Sequence, residues 1–285
     1  MPSLIDIRRR IRSVKNMQQI TKAMKMVSAA KLRRAQERAL ASRPYANMME
    51  RILSNVAAAT VGNEEVAQLP LLQRREKNRI LLVVVSSDTG LAGAFNANLL
   101  RAAQRFIDEH RNHEIRIDAI GRKSRDYFRK RNFTIIGAHV GIVDKPEYKK
   151  AAEIADKMIE LYSKADVDAV YMAVNEFKSV MAPNLVIKRI LPVEVPEGGE
   201  QVDYIYEQPP QELLSALLPR YVEMEIYRAL LESITAYHAA RMTAMDAASS
   251  NAGDVIQDLT LNLNRVRQAN ITREIIEIVS GAAAL

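Results

Sequence analysis

The sequence predicts an α/β fold in which the two chain ends form a long antiparallel two-helix coiled coil around a central Rossmann-like α/β domain. Three observations predict it. Both ends lack helix breakers over long stretches: neither Gly nor Pro lies between Pro2 and Pro44, and after Pro219 only Gly253 and Gly281 occur. Both ends carry apolar residues at alternating steps of three and four. The middle, from Gly62 to Pro219, holds eight of the ten glycines and alternates strand-like with helix-like runs.

The first segment, 1–60, reads as one helix. Ile7, Ile11 and Val14 follow steps of four and three, and Ile20, Met24 and Val27 repeat that spacing. At 1.5 Å rise, residues 3 to 58 would span roughly 80 Å, beyond the width of a compact domain of this size, so the helix needs a partner along its length. Pro44 predicts a bend or interruption, with Tyr45 continuing at a new angle.

The central segment, 61–209, begins its regular structure with Ile80 to Val85, a β-branched run suited to a strand covered on both faces. Asn96 to Arg111 has helical apolar spacing, and Ile115 to Ile120 is a second strand ending at Gly121. Lys123 to Lys130 reads as a short helix, Phe133 to Ile136 as a third strand, and Tyr148 to Lys164 as a helix. Ala169 to Val174 and Leu185 to Val193 complete the set. The order β-α-β-α-β-α-β predicts a layered domain with an antiparallel edge strand.

The last segment, 210–285, carries the longest stripe: Met242, Met245, Ser249, Ala252, Ile256, Leu259, Leu263 and Val266. A 3-4 pattern held this long is a coiled-coil seam. Small residues on both segments (Ala23, Ala29, Ala30, Ala35, Ala39; Ala244, Ala247, Ala248) allow close approach. Pairing of the two ends closes the fold most simply, and packing of each helix on the central domain is the alternative.

Composition excludes several functions. The chain has no Cys, which removes thiolate metal sites, disulfide scaffolds and cysteine nucleophiles. Its four His leave little for a His-based catalytic or metal site. No apolar run approaches the roughly 18 residues that span a bilayer. The first sixty residues carry 13 Lys and Arg against 3 acids, or 13 − 3 = +10, whereas the whole chain is +7. The rest is therefore −3, and the N-terminal segment should seek an acidic partner, though the same charge also fits a solvated helix face. This Arg-rich start raises a transit peptide, but sparse Ser and an unbroken helical pattern read as mature protein.

The loop Ser86 to Asn96 sits where a phosphate-binding turn would sit. Gly90 and Gly93 lack a third glycine at the fingerprint spacing, and no Lys-Ser/Thr pair follows them. A tight turn fits better, with the glycines in conformations closed to other residues and Asn96 capping the next helix. His110 and His113 read as a solvated helix end, and the basic stretch Arg122 to Arg131 as a solvated helix that could also touch RNA or phospholipid.

Two terminal motifs add a resemblance. Ile20-Thr21-Lys22-Ala23-Met24-Lys25-Met26-Val27-Ser28-Ala29, with Ser42-Arg43-Pro44-Tyr45 downstream, resembles the first helix of the gamma subunit of F-type ATP synthases of bacterial type. Arg267-Gln268-Ala269-Asn270-Ile271-Thr272-Arg273-Glu274 and the following residues to Ala284 resemble that family's C-terminal end. The loop Ser87 to Gly93 and Arg220-Tyr221-Val222-Glu223 extend the match over the whole chain.

The resemblance implies a central-stalk rotor that is not itself catalytic and binds no cofactor. Its coiled coil would turn inside a ring of three alpha and three beta subunits, one copy per complex, beside the epsilon subunit and the c ring. It would couple rotation of the c ring to the catalytic sites, and regulate ATPase activity and proton flow. It implies peripheral attachment at the cytoplasmic face of the bacterial cell membrane. Residue by residue, Met24, Lys22, Lys25, Arg267 and Gln268 match positions that contact beta; Arg241, Thr272 and Glu274 match coupling positions; Tyr204 and Glu207 match the foot near the c ring and epsilon. Departures stand at Lys25, often acidic in the family, and at Thr89, Ala92 and Ala94 of the central loop. Two other classes remain: a basic coiled-coil adaptor binding RNA or a membrane surface, and a small nucleotide-dependent enzyme.

Overall fold

A computed structural model describes residues 3–59, 66, 68–76, 78–142, 146–177, 179, 183–194 and 209–282. Helix α1 runs from Leu4–Ala59 and includes Pro44, which does not interrupt it. There follow β1 (Arg79–Val85), α2 (Phe95–Glu109), β2 (Glu114–Ile120), α3 (Arg122–Arg129), β3 (Ile135–His139), α4 (Tyr148–Ser163), β4 (Ala169–Phe177), β5 (Pro183–Leu191) and α5 (Pro210–Ala282). Two compact units divide the chain, residues 1–29 with 241–285 in one and residues 30–240 in the other. No helix among the described residues is long and apolar enough to cross a membrane.

The larger unit is a sheet with helices on both faces. Its strand order is β3-β2-β1-β4-β5, parallel except for β5, which pairs antiparallel with β4. The predicted mixed order and antiparallel edge are therefore present. Strand β1 has β2 and β4 on its two edges, and helices packed on each side of the sheet bury both its faces. Alternation sorts its side chains. Leu81, Val83 and Val85 join a core with Ile154, Met158 and Tyr162 of α4, with Leu53 and Val56 of α1, and with Leu218, Val222 and Leu230 of α5. Ile80, Leu82 and Val84 face Leu99, Ala103 and Phe106 of α2 and Phe128 of α3.

Polar contacts fix the strand entries. Asp168, buried just before β4, accepts the Arg79 backbone N–H at 2.8 Å and the Asn78 N–H at 3.2 Å. Its other oxygen takes the Arg79 guanidinium at 2.9 Å. Burial alone would raise the Asp168 pKa, but these bonds and the Arg79 charge together outweigh it and hold the carboxyl below the ordinary range. Gly137 of β3 is required by its neighbour, since a Cβ there would lie 2.6 Å from the buried Asp118 carboxylate.

The smaller unit pairs the two chain ends antiparallel. Gln18 Nε2 donates to the Ser249 carbonyl at 3.2 Å, and Lys25 Nζ to Asp246 Oδ1 at 2.5 Å. Gly253 gives Gln18 room, its missing Cβ leaving 3.2 Å to Nε2. On α5 the predicted stripe is the seam: Met245 is buried, and Met242, Ser249, Ala252, Ile256, Leu259, Leu263 and Val266 are half-buried.

On α1 the prediction holds for Ile7, Ile11, Val14 and Met24 and departs at Ile20 and Val27. Ile20 and Val27 are exposed, whereas Gln18, Thr21 and Ser28 carry the seam on. The reason is local. Thr21 Oγ1 donates to the Gln18 carbonyl at 3.0 Å and Ser28 Oγ to the Met24 carbonyl at 2.8 Å. With its hydroxyl satisfied by its own helix, each presents a small side chain that fits between close helices.

Candidate functional site

The coiled-coil unit holds most of the residues singled out by sequence. Its register follows from two contacts whose residue numbers share one sum, 18 + 253 = 271 and 25 + 246 = 271. Leu4, where α1 starts, therefore lies level with residue 267 of α5. Beyond that level α5 has no α1 residue opposite it. Accordingly every residue from Ile271 to Ser280 is exposed, including Ile271, Ile275, Ile276, Ile278 and Val279. The overhang from Ile271 to Ala282 is about 18 Å long at 1.5 Å per residue.

Arg267 and Gln268 sit at the base of this overhang, both exposed, while Val266 beside them is half-buried in the seam. Thr272 Oγ1 donates to the Gln268 backbone carbonyl at 2.9 Å, and Gln268 itself is exposed. Glu274 is exposed one turn farther on. Arg241 stands at the opposite end of the seam and is half-buried, so the structure does not cluster it with Thr272 and Glu274. Tyr204 and Glu207 lie outside the described residues.

Lower on the pair, Met24 is half-buried and Lys22 exposed. Lys25 is committed to Asp246, so its charge is partly balanced within the unit. Both partners remain solvent-accessible, and such a pair contributes only about 0–1 kcal/mol. A cavity of about 380 Å³ opens here between Lys22, Lys25, Met26, Gln18, Asp246 and Ser249. Arg8, Arg9, Arg10, Arg12 and Lys15 are exposed and form no ion pair with a described residue. The basic excess is thus presented outward along α1. Asp246 and Ser249, which bond across the pair, were not singled out as polar contacts by sequence.

The second candidate region is the crevice beyond the carboxyl ends of β1 and β4, where the strand order reverses and doubly wound domains bind nucleotides. Here it is closed from within. Phe95, Ala92, Ala236 and Tyr237 form a buried cluster, with the Phe95 and Tyr237 rings edge to face at 5.6 Å. The Tyr237 hydroxyl meets Thr89 Oγ1 at 2.5 Å, and Ser233 reaches the Val85 carbonyl at 3.5 Å. Helix α5 thus packs directly against the loop that follows β1.

The loop's polar groups are turned inward as well. Ser87 Oγ donates to the Thr89 carbonyl at 2.6 Å and accepts from Asn96 Nδ2 at 2.9 Å. Asp88 is buried and receives the backbone N–H of Arg122 at 2.9 Å and of Gly141 at 3.0 Å. Two details differ from the sequence reading. Asn96 serves Ser87 and does not cap α2, whose N-cap Ala94 makes no side-chain bond. The left-handed residues are Leu91 and Gly93, whereas Gly90 has an ordinary backbone and a Cβ there would meet Lys123 Cε at an ordinary 4.0 Å.

The other sequence candidates are structural too. His110 stacks on Phe106 at 4.1 Å and bonds the Phe106 carbonyl through Nδ1 at 2.8 Å. Tyr221, in the motif about three turns into α5, is pushed up to about 12 by burial and by nearby Glu225 and Glu50, so it is a neutral phenol. Tyr237 was missed because its partner Thr89 lies 148 positions away. A usable signal existed: residues 229–240 carry a single formal charge, Glu232, which suits a helix buried on most sides.

Comparison with known proteins accords with this geometry. The model of the ATP synthase family matches residues 3–285. The ATP synthase gamma chain of Solibacter usitatus (strain Ellin6076) is 61% identical over 284 residues, covering 100% of this chain and 99% of that protein. The ATP synthase gamma chain of Anaeromyxobacter sp. (strain Fw109-5) is 50% identical, with 100% of both chains covered. Among solved structures, a chain of the Euglena gracilis mitochondrial ATP synthase (OSCP/F1/c-ring, rotational state 3) shares the fold with a TM-score of 0.69 at 18% identity, covering 99% of this chain and 94% of that one. A chain of the Tetrahymena thermophila mitochondrial ATP synthase central stalk and c-ring aligns with a TM-score of 0.59 at 24% identity, covering 81% of this chain and 99% of that one. The chain belongs to the ATP synthase gamma chain family.

Proposed function

We propose that this chain is the central-stalk rotor subunit of a proton-translocating F-type ATP synthase, non-catalytic itself, which couples rotation of a c ring to the catalytic sites of an alpha/beta ring. The observation that carries this is the antiparallel helix pair whose longer helix overhangs its partner as an exposed apolar tip. In water such a tip is unfavourable, so it calls for an enclosing apolar surface. A single helix end inside a ring can turn against such a surface, because apolar contact is non-directional. The closed crevice supports a role without nucleotide chemistry on this chain.

At the base of the tip, Arg267 offers a planar fork of donors and Gln268 both a donor and an acceptor. We assign them contacts with a beta subunit that form at one angle and break at the next. Met24 and Lys22 would face beta lower on the shaft, with Lys25 divided between beta and Asp246. Arg241, Thr272 and Glu274 would contribute to coupling, and Tyr204 with Glu207 to the foot beside epsilon and the c ring. The complex would hold one copy of this chain with three alpha and three beta subunits, attached peripherally at the cytoplasmic face of a bacterial cell membrane.

Co-expression with the alpha, beta and epsilon subunits tests the reading. The chain should copurify at one copy per three beta subunits, and the complex should hydrolyse ATP. Copurification with RNA, in place of these subunits, would refute it.

A further inference from the structure

We infer that the groove between α2 and α3 docks an acidic peptide segment of another subunit. The groove has a volume of about 720 Å³ and lies on the sheet unit, apart from the shaft contacts above. Arg101 and Arg105 stand on its α2 wall and Lys123 on its α3 wall, all three exposed. None of them forms an ion pair with a described residue. Asp108, the one acid at the groove, is already spent on Arg111 at 3.1 Å and on the Gln104 amide N–H at 3.4 Å. Arg101 and Arg105 are like charges four apart on one helix, an arrangement that weakens the helix. No ion pair with a described residue offsets it, which points to an anionic partner.

The spacing of the groove's charges favours a peptide over a lipid headgroup or a free phosphate, each of which gathers its charge on a single centre. Arg101 and Arg105 are about 6 Å apart along the helix axis. Carboxylates two residues apart on an extended strand are about 6.6 Å apart. A segment carrying acids at alternate positions therefore meets both arginines, and Lys123 takes a further carboxylate. Tyr127, held by Arg131 over its ring at 3.6 Å, and Leu100 supply an apolar wall.

The inference is tested in the assembled complex. Ala97, exposed at the groove mouth, is replaced by the photo-crosslinker benzoylphenylalanine, and adducts are mapped by mass spectrometry. The expected adduct lies in an acidic stretch of another subunit, and its yield falls at least tenfold in the Arg101→Glu, Arg105→Glu, Lys123→Glu variant. Should that variant fail to fold by circular dichroism, Arg101→Gln with Arg105→Gln should lower the yield in its place. An adduct on lipid, on a peptide without acids, or unaffected by the charge changes overturns the inference. So does an active complex with no adduct, and that outcome leaves the rotor reading standing. If no complex incorporates the chain, the rotor reading fails instead. The isolated chain then decides this point, through binding of a fluorescein-labelled Asp-Ser-Asp-Ser-Asp peptide that the Arg101→Glu, Arg105→Glu, Lys123→Glu variant must lose. Equal binding by the variant, or tighter binding of inorganic triphosphate or anionic phosphatidylglycerol vesicles at the same groove, contradicts it.

Discussion

Ile7 and Ile20 look alike in sequence, and substituting each by Ala separates the true seam from its double. Ile7 is 2% exposed and Ile20 is 50% exposed. Ile to Ala removes three carbons. At about 0.8 kcal/mol per buried group, Ile7→Ala costs roughly 2.4 kcal/mol in transfer free energy. The helix pair is open to water on both sides, so its helices can close part of the gap and the cavity term stays small. The total is about 2–3 kcal/mol. Ile20 keeps half its surface in water, and Ala is the better helix former, so Ile20→Ala should stay within about 0.5 kcal/mol. The register places Ile7 level with residue 264, since 271 − 7 = 264. Native-state hydrogen exchange of the α5 amides around Leu259, Leu263 and Val266 in the isolated chain reads the effect. At 1.4 kcal/mol per tenfold, Ile7→Ala should lower their protection by roughly 30- to 140-fold. Ile20→Ala should change it by less than about threefold. An equal loss in both variants, or no loss in Ile7→Ala, would refute the seam assignment.

Three further outcomes follow from the same contacts. The Asp168 carboxyl is held below its unfolded pKa of about 3.9, so its stabilisation is present above that pH and lost as pH falls through the folded value; Asp168→Asn should destabilise by about 1–3 kcal/mol at neutral pH and flatten the acid limb of guanidinium midpoints measured against pH. Gly137→Ala forces a methyl against Asp118 and should cost about 1–3 kcal/mol by the same denaturation assay, with a neutral result showing that β3 yields freely. Arg267→Ala and Gln268→Leu should depress ATP turnover and ATP-driven proton pumping of rebuilt complexes, each losing a contact on the order of 1–3 kcal/mol, while circular dichroism of the isolated chain is unchanged; normal turnover in both would remove the assigned beta contact.

The sheet unit was legible because its rules are local. Six consecutive apolar residues from Ile80 to Val85 could only be a covered strand, and the turn from β2 into α3 was marked by Gly121. The α5 seam was legible because one stripe runs unbroken from Met242 to Val266. The α1 seam was not. That helix carries two stripes of similar spacing, and periodicity alone does not say which one faces the partner. Thr21 and Ser28 count as polar by type, yet their hydroxyls bond within their own helix and leave a surface that packs. Lys25 read as an outward charge because Asp246 is 221 residues away. The closed crevice depended on a similar long-range pair, Thr89 with Tyr237. The outward positions of Arg267 and Gln268, by contrast, followed from helical geometry once Val266 was placed in the seam.

The central claim is that this chain turns within its complex. The most direct measurement attaches a gold bead to a cysteine introduced at exposed Arg129 of the sheet unit, with the alpha/beta ring immobilised through beta, and records the bead's angle under ATP. The account predicts rotation in one direction with three dwells per turn, one for each catalytic site. Sustained ATP turnover with the bead at a fixed angle would contradict it.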